Sequence, residues 1–129
     1  MIFFQGIDIV ENYRIEKIYK RFGSNFINKI LDNKEINYLP KRNKNLINYL
    51  SGRFAAKEAV SKALGKGFRD GIIMKEFIII NNKLGKPEVE FKGRAQKHLE
   101  KIFNNKDKLR VSLTISHEKK FTIALATFI

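Results

Sequence analysis

Two carboxylates stand out because of the residues around them. Asp8 lies in the β-branched and aromatic run Ile2 to Glu11, which predicts a strand with Gly6, Asp8 and Val10 on one face and Ile7 and Ile9 on the other. A lone carboxylate in that apolar setting costs desolvation energy unless a metal, a cation or a hydrogen-bond donor compensates it. The plainer alternative is a one-sided strand with Asp8 facing water. Glu58 lies in Arg53-Phe54-Ala55-Ala56-Lys57-Glu58-Ala59-Val60-Ser61-Lys62-Ala63, a helical segment whose alanines leave room for a close neighbour. Taken alone, Glu58 is an ordinary i,i+4 partner of Lys62, worth about 0.3–0.5 kcal/mol.

One Asp on a strand and one Glu on a helix are enough for Mg²⁺, which takes one or two carboxylates and completes its shell with waters and substrate phosphates. Arg53, Lys57 and Lys62 on the same helix are cations suited to phosphate oxygens. His117, after Thr114-Ile115-Ser116, is either presented to a ligand at a strand end or a plain turn histidine. Gly85-Lys86-Pro87 is a turn whose lysine is within reach of a phosphate or simply solvated. No P-loop, dinucleotide fingerprint or nucleophile elbow is present.

The elements that must hold these residues follow from periodicity. Asn12 to about Leu31 repeats apolar residues at 3.6 spacing, with a break expected at Gly23-Ser24 and Arg14, Lys17, Lys20 and Arg21 on the outer face. A short helix over Asp32 to Leu39 ends at Pro40, and Lys41 to Asn45 reads as a solvated basic connection. A long helix is expected from about Leu46 to Leu64, capped by Gly65 with Gly67 close behind. After a loop at Arg69-Asp70-Gly71, a buried strand Phe77 to Ile80 turns through Asn81 to Pro87 and returns over Val89 to Phe91. An amphipathic helix over Arg94 to Phe103 precedes two strands, Leu109 to Ser116 and Phe121 to Phe128, joined as a hairpin by His117 to Lys120. Long helices with a largely antiparallel sheet predict an α+β fold, a single domain over residues 1–129.

Composition bounds the chemistry. The 129 residues hold no cysteine and only two histidines, His98 and His117. Disulfides, thiolate zinc sites and cysteine nucleophiles are thereby excluded, and a typical catalytic zinc site is disfavoured. No signal-length or membrane-length apolar stretch occurs, so a cytoplasmic protein without membrane partners is expected. The net charge of +13 calls for an anionic partner: nucleic acid, a membrane surface, a phosphorylated small molecule or an acidic protein.

Together these segments resemble the bacterial holo-acyl-carrier-protein synthase family of small 4′-phosphopantetheinyl transferases, over nearly the whole chain. Gly6-Ile7-Asp8-Ile9-Val10-Glu11 is similar to that family's first motif, and Arg53 to Gly65 to its most specific one. Gly85-Lys86-Pro87 and Thr114-Ile115-Ser116-His117 follow in the same order. Phe4 departs from the glycine often found upstream of Gly6.

The resemblance implies Mg²⁺-dependent transfer of 4′-phosphopantetheine from coenzyme A to a serine of apo-acyl carrier protein, releasing adenosine 3′,5′-bisphosphate, in fatty acid biosynthesis. It implies Asp8 and Glu58 as metal ligands. Arg53, Lys62 and Lys86 would stabilise the departing bisphosphate, and Glu58, directly or through a metal-bound water, is the candidate base. His117, Gly85 and Pro87 would line the nucleotide end of a coenzyme A cleft between subunits of a homotrimer. The basic face Arg14, Lys17, Lys20 and Arg21 would dock the acidic carrier.

Two rivals remain on the residues alone. A basic RNA- or ribosome-binding module accounts for the charge but leaves the ordered motifs unexplained. A transferase serving peptide- or polyketide-synthase carriers would commonly show a duplicated chain about twice as long, and no duplication is visible.

Overall fold

Alternation along the first strand and helical spacing after it set the order of the chain in the computed structural model, which describes residues 4–65, 68, 71–103 and 110–129. The order is β1 (Phe4–Glu11), α1 (Asn12–Phe22), α2 (Ser24–Ile30), α3 (Asn33–Ile36), α4 (Asn43–Ala63), β2 (Phe77–Asn81), β3 (Pro87–Phe91), α5 (Gly93–Ile102), β4 (Val111–His117) and β5 (Phe121–Phe128). A 3₁₀ turn, Met74–Glu76, leads into β2. The α+β expectation holds. The expected loop residues Gly67, Arg69 and Asp70, and the strand ends Ile2 and Leu109, lie outside the described residues.

The break between α1 and α2 falls at Gly23, whose φ of 54° favours a residue without Cβ. The long helix begins three residues before the expected start: Leu46 N–H donates to Arg42 O at 2.8 Å. Asn43, Lys44 and Asn45 are therefore its first turn, and the expected basic connection shrinks to the residues before them. Gly65, at φ 85°, ends it by donating to Lys62 O at 3.1 Å.

Three antiparallel strands pair in the order β1-β5-β4, and β2 and β3 form a separate hairpin. In the larger sheet Asp8, Ala124 and Ile115 stand in one row, and Val10, Thr122 and His117 in the row two residues along on the same face. α4 packs across its inner face. Small residues make that approach possible: Ala55, Ala56, Ala59 and Ala63 on the helix and Ala124 and Ala126 on β5 are all buried. Phe77, Phe91 and Phe128 link the hairpin to the sheet through ring contacts of 5.5 and 6.1 Å. Phe77, Ile78 and Ile79 are core residues, so β2 offers no aromatic platform for bases.

The sheet's outer face is different. Ile7, Ile9, Phe121, Ile123 and Leu125 are all exposed there, Ile9 at 61%. Among the described residues, no helix is long and apolar enough to cross a membrane.

Candidate functional site

Gly6 decides how close β1 comes to α4. A Cβ at Gly6 would stand 1.9 Å from Ala59 O and 2.6 Å from Ala63 N, so strand and helix backbones touch where any other residue would hold them apart. Two residues on, Asp8 faces the same helix. Lys62 Nζ donates to Asp8 Oδ1 at 2.9 Å and to Ile7 O at 3.0 Å. Glu58, one turn before Lys62, is half-buried, and its pKa is raised by desolvation first and by the Asp8 carboxylate second, with Lys62 opposing both.

The expected Glu58–Lys62 pair is thus replaced by Lys62–Asp8, and Asp8 does not face open water. Asp8, Glu58 and Lys62 converge, as the sequence predicted. The donor set fits a hard divalent cation: two hard oxygen ligands whose mutual repulsion a cation relieves, with one ammonium already placed against Asp8. Among the described residues no group of three or more His, Asp or Glu side chains converges.

The remaining cations of α4 go elsewhere. Lys57 is wholly buried: Nζ donates to Ile30 O at 2.5 Å and Glu35 Oε1 at 2.6 Å, while Glu35 also accepts from Asp32 N and Ile79 N. It ties α4 to the end of α2 and to β2, and a phosphate cannot reach it. Arg53 lies about 140° around the helix from Glu58. It stacks on the Tyr49 ring at 4.5 Å, Nη2 donates to Asn81 Oδ1 at 3.4 Å, and its buried Nε has no hydrogen-bond partner.

Asn81 is the register partner of Pro87, so Arg53, the start of β3 and His117 make a second group. His117 rests against α4 at Gly52, where a Cβ would come within 3.0 Å of the imidazole Cε1. Its pKa is lowered by partial burial and then by Arg53. Gly85 and Lys86 sit in the exposed turn that leads to Pro87. Asp8 and His117 stand on strands two spacings apart, about 9.6 Å across the sheet. Within one chain the predicted residues therefore form two groups, one at each outer strand.

Arg14, Lys17, Lys20 and Arg21 are all exposed on α1; Lys20 pairs with Glu16 at 3.2 Å, and Lys17 lies over the Tyr13 ring. Beside them runs an apolar groove of about 740 Å³ lined by Ile18, Phe22, Phe26, Phe54, Ile73 and Met74, among others. Sequence reasoning missed this groove, since its walls come from three helices and a loop. It also missed Asn12 and Thr122, buried polar residues joined at 2.6 Å next to His117. Gly52 was the available signal: a glycine inside a helix costs about 1 kcal/mol relative to alanine and marks a close approach.

Comparison with known proteins places this geometry. The model of the 4′-phosphopantetheinyl transferase superfamily matches residues 5–126. A holo-(acyl-carrier-protein) synthase of Clostridium perfringens is 43% identical over 124 residues, covering 96% of this chain and 91% of the relative. The crystal structure of the Neisseria meningitidis holo-(acyl-carrier-protein) synthase superposes with a TM-score of 0.83 at 36% identity, over 97% of this chain and 96% of that one. The Helicobacter pylori enzyme, solved in complex with coenzyme A, gives 0.79 at 31% identity, over 97% and 99%.

Proposed function

The chain belongs to the 4′-phosphopantetheinyl transferase superfamily and is a transferase of the holo-acyl-carrier-protein synthase kind; from that premise we propose how its residues divide the reaction. Coenzyme A donates and an apo-acyl carrier protein accepts. The serine hydroxyl oxygen of the carrier attacks the phosphorus that bears the pantetheine arm. The bond from that phosphorus to the bridging oxygen of the pyrophosphate breaks, and adenosine 3′,5′-bisphosphate leaves with the electron pair. The serine proton goes to a base. The convergence of Asp8, Glu58 and Lys62 at the Gly6 contact carries this proposal.

Asp8 and Glu58 would hold Mg²⁺, which supplies charge neutralisation at the pyrophosphate. Lys62 adds a positive charge at the same place and is exposed enough to exchange Asp8 for a phosphate oxygen. Glu58, directly or through a metal-bound water, is the candidate base, because it stands beside Asp8 and Lys62 where the serine would approach. Arg53, Lys86, Gly85, Pro87 and His117 receive the nucleotide end, where Arg53 presents an unsatisfied buried donor.

The two groups sit at opposite edges of one chain's sheet, in keeping with the coenzyme A cleft between neighbouring subunits that the family resemblance implies. The exposed Ile7, Ile9, Ile123 and Leu125 are the surface that a homotrimer would bury. The acidic carrier docks on Arg14, Lys17, Lys20 and Arg21, with the adjoining apolar groove available to its nonpolar side chains. A cytoplasmic place in fatty acid biosynthesis follows from that client.

The test is release of adenosine 3′,5′-bisphosphate from coenzyme A, followed chromatographically with and without apo-carrier. Carrier-dependent release that disappears in Asp8→Ala and Glu58→Ala is expected. Release that ignores the carrier, or survives both substitutions, overturns the assignment.

A further inference from the structure

His117 does not face the nucleotide cleft as a free imidazole. Its Nδ1 lies 2.9 Å from Thr122 Oγ1, Thr122 Oγ1 lies 2.6 Å from Asn12 Oδ1, and Asn12 Nδ2 lies 2.9 and 3.3 Å from the carbonyl oxygens of Glu118 and Lys119. Each proton in this chain can be assigned by satisfiability. Two carbonyls accept only, so the Asn12 group facing them is the NH₂, and its oxygen must face Thr122. That oxygen also accepts only, so Thr122 donates its single hydroxyl proton to it. Thr122 can then only accept from the imidazole, which requires a proton on Nδ1.

Every alternative places two acceptors face to face. Turning the Asn12 amide sets its oxygen against the two carbonyls. Turning the Thr122 hydroxyl toward the ring leaves two oxygens 2.6 Å apart with no proton between them. Thr122 and Asn12 are buried, so water does not relieve either arrangement. The Asn12 N–H donates to Lys120 O at 2.8 Å, which fixes α1 against the hairpin from the other side.

We propose that Asn12 and Thr122 are positioning residues that hold neutral His117 in its Nδ1–H tautomer, leaving Nε2 as the one ring nitrogen that meets coenzyme A and exchanges a proton with solvent. The consequence for binding is specific. Neutral His117 shows the ligand a lone pair and cannot donate to a phosphate; once protonated at Nε2, it donates a charge-assisted hydrogen bond to the same phosphate. Nucleotide binding through His117 is therefore linked to proton uptake at Nε2 alone.

Arg53 from α4 acts on the ring directly, and the titratable groups that line the same cavity as His117 are Lys44 from α4, Tyr13 and Glu16 from α1, and Glu118 and Lys119 from the hairpin. Arg53 opposes protonation until an anionic ligand neutralises it. The placement of coenzyme A against His117 rests on the function proposed above, whereas the tautomer is a property of the unliganded protein.

Nitrogen-15 NMR of the imidazole in the wild-type protein, at a pH of about 8.5 where histidine is neutral, reads the tautomer directly. The expected spectrum has a protonated Nδ1 and an unprotonated Nε2, kept in Thr122→Ser and lost to a mixture in Thr122→Val. The KM for coenzyme A should rise in the wild type and in Thr122→Ser as His117 loses its proton between about pH 5 and 8, and should depend less on pH in Thr122→Val, which admits the Nε2–H tautomer. Adding Thr122→Val to His117→Ala should cost nothing further.

A wild-type Nε2–H tautomer, or a tautomer that Thr122→Val leaves unchanged, overturns the positioning role. A locked tautomer with additive KM effects overturns its connection to coenzyme A. If His117→Ala itself leaves coenzyme A kinetics unchanged, the nucleotide placement in the proposed function fails, and with it the link to binding.

Discussion

Replacing Asp8 by alanine separates its two possible roles at the residue scale. A solvated strand carboxylate would be lost without consequence; a ligand and partner of Lys62 would not. Asp8→Ala and Glu58→Ala are each expected to lower kcat by at least about 100-fold, with circular dichroism and unfolding midpoint close to wild type because neither side chain is part of the buried core. Full activity in either variant contradicts the site. A carboxylate in an apolar strand and another amid alanines make Asp8 and Glu58 stand out in the sequence, but read alone each is more simply a solvated or paired side chain, and only the family resemblance singles them out as a site. The destination of Lys57 was not legible, since its partner Glu35 lies 22 residues away and comes into reach only when α3 folds under α4.

At the scale of elements, the contact of β1 with α4 and the buried pair beneath α4 hold the site in place. Gly6→Ala should destabilise the fold by about 1–3 kcal/mol or more, through a Cβ forced onto backbone atoms of Ala59 and Ala63. Chemical denaturation checks this, and an unchanged midpoint would contradict the contact. Lys57→Met leaves Glu35 buried without its cation and should cost about 3–5 kcal/mol, whereas Lys57→Met with Glu35→Leu should cost less than the two single losses together.

The pH dependence has a definite sign. Burial depresses the Lys57 pKa to about 8, against 10.5 when unfolded, so between those values the unfolded chain binds more protons than the native one. Stability contributed by this residue must then rise with pH across that window. Urea midpoints of the wild type should gain on those of the double variant from pH 8 toward 10.5, and parallel curves would contradict the buried charge. Most element boundaries were readable from period and glycine placement; the start of α4 was not, because Asn43, Lys44 and Asn45 are polar and carry no apolar phase.

The whole molecule carries a charge of +13 and an exposed apolar sheet face, and each predicts a partner. Arg14→Glu with Arg21→Glu should raise the KM for carrier protein about tenfold and leave that for coenzyme A unchanged; the wild-type carrier KM should rise with salt. Carrier kinetics indifferent to both would reject the docking face. If the proposed homotrimer buries this face, Ile9→Asp should dissociate it in sedimentation experiments and weaken coenzyme A binding, and an assembly and affinity unchanged by the substitution would contradict that interface.

Alternation in β1 separated Gly6, Asp8 and Val10 from Ile7 and Ile9, but which face the helix would cover depended on alanines and Gly6 meeting in three dimensions, beyond what periodicity encodes. The central claim is phosphopantetheine transfer at Asp8 and Glu58. Its most direct test is the intact mass of an apo-acyl carrier protein after incubation with this protein, coenzyme A and Mg²⁺, beside EDTA and Asp8→Ala controls. A gain of one phosphopantetheine, absent from both controls, is the predicted result; an unmodified carrier, or a gain that persists in either control, would contradict it.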